Sequence, residues 1–309
     1  MALLSERKTL TQNLTYMALM AAVNVVFSLL AAFFPFGALF LMIFLPAASA
    51  IVTYFCKPKF YVIYIVGAIA LSLVVTLWDF QNTLFYTIPA IVTGSLYGFL
   101  KRIKLTTGEN IFLCALLGVA FSYLAILLIQ LFYQVDMIAF LLQMIGAKGD
   151  LALLIVPAAI LVYNLMQKSL ANLFIQVVSE TFRIENKYAE IHEKLYPGFA
   201  LFLFLLVLIF GFFFPEGAYF CLVGGLYWTT FAIAFLYPRK TKWFYALDGG
   251  LAFVGLIFFY VFYLRLDVAT RLLLLALPFA GFALSAVLTN LWLLKKDATS
   301  KMNPQGNDE

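Results

Sequence analysis

Few side chains in this sequence could carry chemistry, and they fall into three groups. The first is Asp79, Gln81 and Asn82 in WDFQNT, followed by Tyr86. The second lies in QLFYQVDMIAFLLQMIGAKGD and holds Gln130, Tyr133, Gln134, Asp136 and Gln143. The third is a pair of ionisable groups inside otherwise apolar runs, Lys168 and Asp248. Carboxylate, amide and phenol groups hydrogen-bond to small polar solutes, whereas turnover asks for more. HExxH, GxSxG, a Walker loop and paired intramembrane carboxylates are all missing, so no catalytic residue is expected and the chain is not read as an enzyme. His192 is the single histidine, and Cys56, Cys114 and Cys221 form no CxxC pair. No metal site, no cofactor and no disulfide framework are therefore expected. Buried charges in lipid are costly and often functional, and for Lys168 and Asp248 two arrangements are open. Each could snorkel to the interface, or the two could form an ion pair.

The elements that must position these groups follow from composition. Of 309 residues, 65% are hydrophobic and only 11% are charged. A soluble domain carries about 25% charged residues, so a solvent other than water must take this apolar surface. Apolar runs between charged or Gly/Pro breaks predict helices at 11–34, 38–55, 60–78, 83–100, 110–133, 152–178, 198–214, 217–237, 243–264 and 271–294. The fold class is an all-α polytopic membrane helix bundle of about ten transmembrane helices. No signal peptide is expected, because the first span is long, lacks a small-residue cleavage site and is followed by further spans. The segment Met137 to Ile145 is too short to span and reads as re-entrant or interfacial.

Charge placement gives an orientation. With the N-terminus inside, sixteen of the twenty Lys and Arg residues fall on inner segments, against Lys148, Arg265 and Arg271 outside. The positive-inside rule then places both termini in the cytoplasm of a multi-pass bacterial plasma-membrane protein. The net charge of +5 follows topology and forms no clustered solvated face, so no nucleic acid partner is expected. A polar stretch at 183–197 divides the chain. The reading is a six-helix membrane domain at 1–182, a cytoplasmic linker at 183–197, a four-helix extension at 198–296 and a disordered tail at 297–309. The polar stretch could equally be an amphipathic helix within one domain.

Two helix features point outward from this frame. Pro46, Pro89, Pro157 and Pro278 recur at similar depths, each a few residues in from the outer end of its helix. Proline removes a helical hydrogen bond and kinks the helix, so kinks at one depth would splay the bundle into an outward cavity. The candidate solute-binding residues are Asp79, Asn82, Tyr86, Gln130, Tyr133 and Gln134. Ala18, Ala21 and Ala22 in the first helix allow close approach of another helix, either within the bundle or on a partner.

Taken in order, the short basic N-terminus, the Ala18–Ala22 helix, the PFG turn at Pro35–Gly37, the CKPK turn at Cys56–Lys59 and IPAIVTGSLYGFL resemble the S-component of energy-coupling-factor (ECF) transporters. The resemblance covers roughly residues 8–182. It implies a vitamin-like small-molecule solute bound near the outer face, and a T-component-like membrane partner carrying ATPase subunits. Ala18 and Ala22 would be docking residues. Typical S-components have six helices, and the four added ones make the chain more similar to longer bacterial membrane proteins distantly related to them. The function expected is a solute-binding transport subunit without its own ATPase. The alternative is a non-transporting membrane scaffold of a bacterial cell-surface or signalling complex.

Overall fold

The computed structural model describes residues 8–33, 35–80, 83–103, 105–144, 150–181, 193–236 and 268–302. Among them the secondary structure is helical: α1 Leu10–Phe33, α2 Pro35–Phe55, α3 Tyr61–Val75, α4 Ile88–Arg102, α5 Thr107–Tyr133, α6 Met137–Met144, α7 Asp150–Thr181, α8 Tyr196–Phe213, α9 Pro215–Leu236 and α10 Val268–Met302. Seven helical stretches among the described residues are long and apolar enough to cross a membrane. The chain is a multi-pass, all-α membrane protein. The helix expected at 243–264 lies outside the described residues, as do Asp248 and most of the 183–197 stretch. The expected tail at 297–309 begins too early, since α10 continues to Met302.

Local chemistry explains the boundaries. Helix α5 starts earlier than hydropathy predicts because Thr106 and Glu109 form a capping box. The Thr106 N–H donates to Glu109 Oε2 at 3.0 Å, and the Glu109 N–H donates to Thr106 Oγ1 at 3.4 Å. It ends at Gln134, whose φ of 54° is the left-handed conformation that closes a helix. The expected fourth helix begins as a π-turn, Thr83–Thr87, and becomes α-helical at Ile88. Pro89 sits just past that change, where its missing N–H removes a bond the regular ladder would need. The short segment after α5 is an eight-residue helix, α6.

Contact clustering divides the chain into two units, residues 1–148 with 159–189 and residues 149–158 with 190–309. In the first unit α4 is the central helix, packing on α2, α3 and α5. Glycines bring α4 against α2. A Cβ at Gly94 would overlap the Pro46 carbonyl, and one at Gly98 would overlap the Ala50 carbonyl and Thr53 Oγ1. The kink at Pro46 is thus filled by a neighbouring backbone, where the sequence led us to expect a splayed helix. Outward positions such as Val62, Ile63, Val66 and Val74 on α3 are large, apolar and exposed, as suits a surface solvated by lipid tails.

In the second unit α8, α9 and α10 pack on one another through rings. Phe204 is fully buried and stacks on Phe279 at 6.1 Å between centroids. Tyr196, Phe199 and Phe231 gather around Trp228. Each such pair adds about 0.5–1.5 kcal/mol beyond its buried area. A polar tie, from Asn290 Nδ2 to the Lys194 carbonyl at 2.7 Å, joins α10 to the segment before α8.

Candidate functional site

Threonines build the turn that presents the first candidate group. Thr76 Oγ1 donates to the Ser72 carbonyl at 2.6 Å and is hydrogen-bonded to the hydroxyl of Thr83. Thr83 Oγ1 in turn donates to the Asp79 carbonyl at 3.3 Å, and the Asp79 N–H donates to the Thr76 carbonyl at 2.9 Å. This pinned turn holds Asp79 half-buried at one end of the first unit, opposite the end marked by Arg102. Tyr86, on the π-turn, lies within electrostatic reach of Asp79. Tyr163 of α7 lies within reach of Tyr86. Electrostatic reach thus links Asp79 to Tyr86 and Tyr86 to Tyr163.

The other expected members are placed differently. Asn82 and Gln81 lie outside the described residues. Gln130, Tyr133 and Gln134 occupy the closing turn of α5 and are exposed. Spacing sets Gln130 and Gln134 to one side of that turn and Ala125 and Ile129 to the side packed against Leu84, with Tyr133 between. Nothing in the described residues groups them with Asp79.

Below the Asp79 end, polar side chains continue into the interior between α4, α5 and α7. Asn164 Nδ2 donates to Ser122 Oγ at 3.3 Å and to the Ile160 carbonyl at 2.9 Å. A Cβ at Gly118 would overlap Asn164 Oδ1, so glycine lets this amide lie flat against α5. One turn along, Lys168 is 2% exposed and donates from Nζ to Gln167 Oε1 at 2.9 Å. It does not snorkel. Cys114, whose thiol points to the Thr93 carbonyl at 3.5 Å, is within its electrostatic reach. One turn further, Asn172 Oδ1 accepts from the Tyr97 hydroxyl. Asn110 lies one turn from Cys114 on α5, fully buried, with neither amide atom partnered among the described residues.

A search of the spans for ionisable groups finds Lys168 and passes over the amides that share its face. The signal was present in NLMQKSLAN, where Asn164, Lys168 and Asn172 repeat every four residues and share a face.

A second polar cluster ties α1, α2 and α3. Asn24 Nδ2 donates to Tyr64 Oη at 2.7 Å and to Ser49 Oγ at 3.0 Å, and the Ser49 and Tyr64 hydroxyls bond each other at 3.0 Å. Near the Arg102 end, Asn13 Oδ1 accepts from the Lys57 N–H at 2.9 Å and Arg102 donates to the Cys56 carbonyl at 2.6 Å. These clamps hold the CKPK turn. Of the docking candidates, Ala18 and Ala22 are exposed on α1, while Ala21 is buried against Met17, Val52 and Tyr64. The step of about 100° per residue turns Ala21 inward, away from the other two.

Among the described residues, no three His, Cys, Asp or Glu side chains come together as a metal would require. No family model matches the chain, and no curated protein or solved structure matches it.

Proposed function

We propose that this chain is the solute-binding subunit of a membrane transporter, taking a small polar solute at the Asp79 end of its first unit. The observation that carries this reading is the continuity of polar side chains from Asp79, Tyr86 and Tyr163 down to Asn164, Lys168 and Asn172. In lipid a polar side chain without a partner is costly, so such residues gather where they bind one another or a ligand. Asp79 supplies an acceptor and the two phenols supply donors and flat apolar faces. The Lys and Arg distribution faces this end outward, with both termini in the cytoplasm of a bacterial plasma membrane. Energy for uphill movement comes from a partner, and the likeness to ECF S-components makes a T-component-like protein with ATPase subunits the natural candidate. The exposed Ala18 and Ala22 are where a partner helix would approach closely.

Purification of the full chain from its native membrane, followed by mass spectrometry of retained small molecules, tests the reading. A solute retained by the wild type and lost from the Asp79→Asn, Tyr86→Phe double variant is the expected result. Identical small-molecule profiles for the two proteins would overturn it.

A further inference from the structure

We propose that the first unit holds an anion site in its interior, with Lys168 as the cation and Asn110 and Asn172 as neighbouring amides, and that it takes the carboxylate of a small solute. The inference rests on the solute-binding reading above and adds the chemical class of the solute. Depth comes first. The apolar run of α7 starts at Leu151 and reaches Val178, which puts Lys168 roughly 26 Å from its first residue and 15 Å from its last at about 1.5 Å per residue. Its side chain is buried, and its described hydrogen-bond partner is the neutral amide of Gln167. No carboxylate among the described residues pairs with it. A buried cation without a described counter-charge is costly to keep charged, and a bound anion offsets that cost.

The surroundings point the same way. Gly118 of α5 lies against Asn164, and Cys114, one turn along, is within electrostatic reach of Lys168, so α5 and α7 step past each other turn for turn, while Tyr97 of α4 meets Asn172. Continuing that register along α5 brings Asn110 to the level of Asn172, one turn from Lys168. Asn110 is fully buried and both of its amide atoms lack partners among the described residues. A buried amide is normally satisfied, and one left open a turn from a buried ammonium is a donor awaiting an acceptor. One positive charge with amide donors matches a singly charged, planar group with two acceptor oxygens. A phosphate carries about 1.5–2 charges and calls for a second cation.

The test uses the full chain in phosphatidylcholine nanodiscs, with thermal unfolding followed by tryptophan fluorescence. Sodium acetate is titrated against equal concentrations of acetamide and of sodium chloride. The expected result is a saturable rise in Tm with acetate alone, as for any ligand that binds the folded state. Lys168→Gln abolishes that rise. Cys114→Asp also abolishes it, and raises the acetate-free Tm, because it sets the protein's own carboxylate beside Lys168. Val66→Ala, on the exposed face of α3, leaves the acetate response intact. If Lys168→Gln loses the acetate response while the Asp79→Asn, Tyr86→Phe variant keeps the wild-type small-molecule profile, the outer reading alone fails, so the two are told apart. Equal responses to acetate and acetamide, equal responses to acetate and chloride, or a wild-type response in Lys168→Gln would overturn the proposal. Should Lys168→Gln not fold, an unchanged acetate response in Cys114→Asp overturns it instead.

Discussion

The two units bury different things. In the first, Asn13, Asn24, Asn110, Asn164, Lys168 and Asn172 are all inside, with serines and threonines between them. In the second, the described interior is Phe204, Trp228, Leu236 and Phe282, and its buried polar residues are Thr229, Thr289 and Asn290. Lipid tails are as apolar as leucine, so neither interior is driven together by escape from water. The second unit solves this with ring packing. The first uses close backbone approach and interhelical hydrogen bonds, and it retains a charge that packing alone does not need. The difference teaches that the first unit's interior is specified for more than cohesion.

The largest expected effect exploits the backbone contact at Pro46. Gly94→Leu should leave the first unit unable to fold, at a cost beyond ~4 kcal/mol, because the clash is with backbone that cannot swing away. Loss of the monodisperse peak in detergent size-exclusion chromatography checks this; a stable, monodisperse variant would show that α2 and α4 are not in such close contact. Next is Phe204→Ala in the second unit, expected to cost about 3–5 kcal/mol through the cavity it leaves. It should lower Tm while leaving solute retention untouched. If retention falls with Tm, the contrast between the units is broken.

Smaller effects sharpen the picture within α1. Ala21→Leu should cost about 1–3 kcal/mol by overpacking against Met17 and Tyr64, whereas the exposed Ala22→Leu should leave the Tm of the isolated protein unchanged. A partner that co-purifies with the wild type should be lost from Ala22→Leu. Asn24→Leu should be milder still, about 0.6–1.7 kcal/mol, the range measured for hydrogen bonds between membrane helices. The Ser49–Tyr64 bond survives that change, which keeps the loss small.

How much of this was legible in the sequence depends on the physical signal. The spans were readable because an apolar run of membrane length has few other solutions; 217–237, for example, corresponds to Pro215–Leu236. Boundaries set by polar chemistry were not, as the Thr106–Glu109 cap shows. Asp79 and Tyr86 were readable as polar groups at helix ends, and they lie within electrostatic reach of each other. Tyr163 was not, because its partner is distant in sequence and only the packing of α7 supplies it. Proline was read as a source of open space, but at Pro46 the small side of α4 closes the gap. Asn110 and Asn172 are not legible as neighbours of Lys168, because only the packing of α5 against α7 relates them.

The central claim is that solutes reach the polar interior of the first unit and do not reach that of the second. Two native cysteines, both buried, sit in the two interiors: Cys114 beside Lys168, and Cys221 on α9. With Cys56 replaced by serine and each of these kept in turn, a small water-soluble methanethiosulfonate reagent added to the folded protein in nanodiscs measures access to each. The account predicts that Cys114 is modified, and protected by acetate, while Cys221 stays unmodified over the same time. Equal reactivity or equal inertness of Cys114 and Cys221 would contradict it.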